Sequence, residues 1–117
     1  MKLFSADTWT LEELRAQVHD AGRRALVIPA ADSKKAVLQA FGEALAFPEH
    51  YGVNLDALND ALHDFADAAA DDDRQATVIW QVPPAFRSDR AFGIICEILQ
   101  DAERYAGKDL AVIAVCL

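Results

Sequence analysis

Three strand-length apolar runs constrain this chain most: Ala25-Leu26-Val27-Ile28, Ala76-Thr77-Val78-Ile79-Trp80-Gln81-Val82 and Leu110-Ala111-Val112-Ile113-Ala114-Val115-Cys116-Leu117. They are rich in β-branched residues and lack the alternation of a strand with one wet face, so each is expected to be covered on both sides. A strand covered on both sides belongs to a parallel sheet whose crossovers are helices. The segments between the runs have helical periodicity. The expected fold is therefore α/β, a small three-stranded parallel sheet packed against helices. With 117 residues and no linker or internal repeat, the chain reads as one domain, 1–117.

Helix starts and stops punctuate the chain. Thr10 stands three residues before Glu13 in a capping-box pattern, and Leu11, Leu14 and Val18 follow at helical spacing until Gly22, which predicts a helix over 11–21. Asp32 or Ser33 caps a second helix with Val37, Leu38, Phe41 and Leu45 on one stripe, closed before Pro48. Asn54 is placed to cap a third, in which Leu55, Leu58, Leu62 and Phe65 face the core. The alanine and aspartate stretch 66–73 is expected as a frayed end running into an acidic loop. A last helix carries Phe92, Ile95, Cys96, Leu99 and Ala102 and stops at Gly107. Cys96 and Cys116 are expected buried and reduced, and Trp9 and Trp80 are expected to be packing residues.

Charge is distributed unevenly. The net charge is −8, yet residues 36–73 alone hold nine acids and no Lys or Arg, which leaves the remainder at +1. A near-neutral body with one negative face repels nucleic acid and attracts a basic protein. On the third helix Asp56, Asp60 and Asp64 recur every fourth residue. Like charges at that spacing destabilise a helix by about 0.2–0.5 kcal/mol per pair, so the fold itself gains nothing from them. No nucleophile with partners and no glycine-rich phosphate loop is present, so neither an enzyme nor a cofactor is expected. His63 lies at helical spacing from Asp60 and Asp67, but no second ligand cluster accompanies it and no metal is expected. No apolar run approaches the roughly 18 residues of a membrane span and no leader pattern opens the chain, so the expectation is a cytoplasmic protein, monomeric when free.

The segment Phe47-Pro48-Glu49-His50-Tyr51-Gly52-Val53-Asn54-Leu55-Asp56-Ala57-Leu58-Asn59-Asp60-Ala61-Leu62 resembles the signature of the barstar family, intracellular inhibitors of barnase-type ribonucleases. The order of elements over 25–117 is similar too, whereas residues 1–24 read as an N-terminal addition carrying an extra helix. The resemblance implies that the loop and the exposed side of the helix occlude a basic nuclease site, with carboxylates in place of RNA phosphates. It implies Asp56 and Asp60 as charged anchors, with Gly52, Asn54, Leu55 and Ala57 shaping the contact and Phe65 at its edge. Tyr51, His63 and Asp64 complete the expected partner-binding set with His50 and Asn59. The last two are departures: His50 stands where the family often has a second aromatic beside Tyr51, and Asn59 where a tryptophan can occur. The implied partner is a basic protein, a secreted ribonuclease or other nuclease toxin. The alternative is a regulatory module of the same fold that binds another basic protein without inhibiting it.

Overall fold

The computed structural model describes all 117 residues. Its elements run β1 (Lys2–Ser5), α1 (Leu11–Asp20), β2 (Arg24–Ile28), α2 (Lys34–Ala44), α3 (Leu55–Asp71), β3 (Ala76–Val82), α4 (Pro84–Arg87), α5 (Arg90–Ala106), a 3-10 turn (Gly107–Asp109) and β4 (Leu110–Cys116). The sheet has four parallel strands in the order β1-β4-β3-β2, not the three expected. The strand missed by sequence reading is β1, whose Lys2, Leu3, Phe4 and Ser5 pair with Ile113, Ala114, Val115 and Cys116. It is a short edge strand with Leu3 exposed, and four residues of mixed polarity leave no periodic signal. Residues 1–24 thus supply an edge strand and a covering helix to the same sheet.

Strand polarity follows from unequal cover. On one face α2, α3 and α5 bury Ile28, Val78, Trp80, Val82, Leu110, Val112 and Ala114; on the other, α1 alone covers Ile79 and Val115 with Leu14 and Val18. Central β3 is buried almost throughout. In β4, by contrast, Ala111 and Ile113 on the α1 side stay half-exposed, so its apolar run alternates in burial although not in composition. Leu58 and Leu62, both fully buried, fasten α3 to the sheet, and truncating either to Ala would cost about 2–5 kcal/mol. Trp80 is a packing residue, inaccessible to solvent, with ring centroids 5.6 Å from Phe41, 6.1 Å from Phe86 and 5.6 Å from Phe92. Cys96 and Cys116 are free thiols but half-buried rather than buried.

The helix ends share one device. After α1, α2 and α3 the chain turns through a left-handed residue, Gly22 (φ 76°), Ala46 (φ 54°) and Asp73 (φ 51°) respectively. In each case the next amide reaches back to the carbonyl five residues earlier: Arg23 to Val18, Phe47 to Gly42 and Arg74 to Ala69. These are Schellman stops, which satisfy carbonyls that the helix leaves open. The third corrects the expectation for 66–73: Ala66 and Ala69 are buried on the same stripe as Leu62, and α3 stays helical to Asp71. Arg23, just past the first stop, ties the sheet's lower edge by donating to Thr77 Oγ1 (2.8 Å), the Ala76 carbonyl (2.7 Å) and the Lys108 carbonyl (2.7 Å).

Candidate functional site

The segment between α2 and α3 is held from both ends. Upstream, Tyr51 lies across α2: its hydroxyl donates to the Leu38 carbonyl at 3.1 Å and its ring meets Phe47 edge-on at 5.0 Å. Burial pushes its phenol from 10.0 up to about 12. This packing is possible because Gly42 faces the ring; a Cβ there would lie 2.9 Å from Tyr51 Cδ2. Downstream, Asn54 joins loop to helix: Oδ1 accepts the Ala57 amide at 2.8 Å and Nδ2 donates to the Gly52 carbonyl at 3.3 Å. The cap expected of Asn54 therefore forms. Between these anchors Val53 adopts φ 49°, an unusual state for a β-branched side chain and one that concentrates at binding sites.

Helix α3 carries the charge. Asp56, Asp60 and Asp64 are all exposed, and Asp56 sits in the first turn, where the helix dipole favours an anion. None of the three has a cationic partner: the ion pairs of this protein are Arg104 with Asp101 and the N-terminal ammonium with Glu103. Their spacing spreads the carboxylates over about 12 Å of helix axis.

The expected site residues divide between two sides of α3. On the loop side, His50, Tyr51, Gly52, Ala57, Asp60, Asp64 and Phe65 line an open groove of about 660 Å³ together with Leu45, Ala46, Phe47, Pro48, Ala61 and Ala68. On the α5 side, Asn59 and His63 form a separate group: His63 Nδ1 lies 2.8 Å from the Asn59 carbonyl, and its ring meets Tyr105 at 4.5 Å. A carbonyl only accepts, so Nδ1 carries the proton. Tyr105 in turn donates to Asp67 Oδ1 at 2.6 Å. That bond, and then the carboxylate's charge, raise its phenol pKa. No three His, Cys, Asp or Glu side chains converge to hold a metal ion. Asp56 and Asn54 stand outside the groove lining, at the exposed start of the helix, and Leu55 is half-buried there against the main core.

Sequence reasoning missed the groove's upper wall and Tyr105. The wall follows from the Ala46 stop, which turns Phe47 back over α2; a left-handed alanine has no compositional signal. Tyr105 reaches His63 and Asp67 across α5 and α3, a pairing that no local pattern encodes.

What fold and site define together is a parallel α/β scaffold that exposes an acidic loop and helix on one side. The chain belongs to the barstar family: the model of Barstar (barnase inhibitor) matches residues 15–117, from within α1 to the end of β4. The family is one of inhibitors rather than enzymes, and its members bind ribonucleases of the barnase type. None of the curated proteins matches the chain. No helix is long and apolar enough to cross a membrane.

Proposed function

We propose that this protein is a cytoplasmic inhibitor that occludes the basic active site of a nuclease toxin with the His50–Asn54 loop and the exposed side of α3. The observation that carries the reading is the row Asp56, Asp60 and Asp64: exposed, on one helix, and without a cation of their own. A catalytic cleft built for RNA phosphates supplies Arg, Lys and His at comparable spacing, and desolvated charge-assisted bonds are the strong ones. Asp56 and Asp60 act as anchors; Tyr51, Gly52, Asn54, Leu55 and Ala57 fix the loop around them. Asp64 and Phe65 extend the contact, with Asn59 and His63 on its far side. Direct nucleic-acid binding is disfavoured, because this face repels phosphate.

His50 and Asn59 favour a partner other than barnase itself. Aromatic anchors carry much of the energy at such interfaces, and both positions are polar here. Binding kinetics against captured partner test the assignment. Asp56→Ala or Asp60→Ala should cost about 2–5 kcal/mol, expressed mainly in faster dissociation, whereas neutralising Asp71, Asp72 and Asp73 should slow association and weaken its salt dependence. Equal small effects at both places would remove Asp56 and Asp60 as anchors. Capture of a basic protein without nuclease activity would favour the regulatory alternative.

A further inference from the structure

We propose that Cys96 on α5 and Cys116 at the end of β4 form a reversible disulfide by exchange with a small-molecule disulfide, and that the bond locks α5 to the sheet. The inference is independent of the inhibitory reading, because neither cysteine lies on α3 or in the loop before it.

Register brings the two thiols together. Glu103 fixes α5 on β4, its Oε2 accepting the Val112 amide at 2.8 Å. Cys96 stands two turns before Glu103, on the same stripe of the helix and about 10 Å back along its axis. Cys116 stands four residues beyond Val112, on the same face of the sheet and about 13 Å along the strand. Because β3 and β4 are parallel and α5 joins them, going back along the helix follows the direction of the strand. The two cysteines therefore arrive at nearly the same height. Both belong to the layer between helix and sheet: Cys96 packs on the main core, and Cys116 follows Val112 and Ala114, buried on that face, in register with Val82, which is buried there too. Each thiol feels the other, since burial and then Cys116 push the Cys96 thiol from 9.0 up to about 11. Cα atoms of α5 and β4 approach within 8 Å, against the roughly 4.4–6.8 Å of a disulfide, so closure asks for a small adjustment.

The pair is also within reach of a reagent. Both cysteines are half-exposed, a Cβ at Gly93, almost one turn ahead of Cys96, would meet nothing within 4 Å, and Ser5, beside Cys116 on β1, is exposed. The exchange balances with the small disulfide as the oxidant. Cys96 holds its proton, so the first attack falls to Cys116: its thiolate takes one sulfur of the reagent, leaving a mixed disulfide and releasing one thiol. Cys96 then gives up its proton and attacks the Cys116 sulfur, which releases the second thiol. Two electrons pass from the protein to the reagent, and both protein thiol protons leave on its two halves.

The test incubates the folded full chain with oxidised glutathione, blocks the remaining thiols with N-ethylmaleimide and weighs the intact protein. The expected product is a monomer lighter by two hydrogens that takes up no maleimide and recovers both thiols in dithiothreitol. Cys96→Ser should instead accumulate the mixed disulfide on Cys116 through which the parent protein passes. In thermal unfolding the oxidised parent should melt about 10 °C above the reduced one, because the bond closes the 96–116 loop. A parent protein that keeps one or two glutathione adducts, that links into dimers, or that closes the bond only in urea would overturn the proposal. A closed bond that leaves the melting temperature unchanged or lowers it would overturn the lock on α5.

Discussion

Replacing Gly42 with alanine separates two effects that sequence reasoning would merge. A glycine inside a helix is weaker than alanine by roughly 0.5–1 kcal/mol, so propensity alone makes Gly42→Ala stabilising. The structure opposes that gain: the new Cβ would stand 2.9 Å and 3.0 Å from two carbons of the Tyr51 ring. Carbon pairs prefer about 3.5–4.0 Å, so the ring must retreat by half an ångström or more. Its hydroxyl bond to the Leu38 carbonyl and its edge contact with Phe47 then loosen. Overpacking of this kind costs about 1–3 kcal/mol, which outweighs the propensity gain and leaves a net loss of about 1 kcal/mol. Gly93 in α5 is the control, since nothing lies within 4 Å of a Cβ there. Gly93→Ala should stabilise by about 0.5–1 kcal/mol. Urea unfolding at equilibrium reads both, and adding Tyr51→Ala completes a double-mutant cycle. With the ring gone, Gly42→Ala should recover its propensity gain, a coupling of about 1–3 kcal/mol. A Gly42→Ala variant as stabilised as Gly93→Ala, or a coupling near zero, would refute the account of how α2 holds the loop.

Two further outcomes follow from the backbone and from half-buried ionisable groups. Ala46→Gly should stabilise the protein by about 0.5–1 kcal/mol, because a left-handed L-residue costs about 1–2 kcal/mol and glycine's extra chain entropy returns part of it; an unchanged urea midpoint would contradict a left-handed stop at that position. Alkaline pH should destabilise the fold. Burial holds the Tyr51 phenol at about 12 against 10.0, and burial and then the nearby Cys116 hold the Cys96 thiol at about 11 against 9.0. Both groups ionise more readily when unfolded, so their contribution is complete below pH 9 and is lost as pH rises from 9 through 12. Tyr51→Phe with Cys96→Ala should flatten that decline in unfolding midpoints measured across the range; a decline as steep as the parent's would mean other groups cause it.

The parts of the fold legible in the sequence were those where one residue type answers one physical need. Asn54 before Leu55 announced a cap because a short amide side chain is what an open helix amide requires, and Gly22 announced a stop because glycine accepts φ 76° freely. Ala46 and Asp73 perform the same stop without glycine, which is why α3 was expected to fray at Ala66 when it continues to Asp71. The apolar runs of β2, β3 and β4 were visible, whereas β1 takes its place from pairing with β4, an interaction across more than a hundred residues. At the site, the motif around Asp56 and Asp60 identified the helix and its charge. It could not show that Asp60 and Asp64 border a groove while Asn59 and His63 turn towards Tyr105, because that division depends on how α2, α3 and α5 pack around one another.

The central claim is tested most directly by titrating this protein into an RNA-cleavage assay with a small basic barnase-type ribonuclease, beside the Asp56→Ala, Asp60→Ala double variant. The account predicts stoichiometric inhibition by the parent protein and its loss in a variant that remains folded. Inhibition undiminished in that variant, or none by the parent at micromolar concentration against any nuclease it captures, would contradict it.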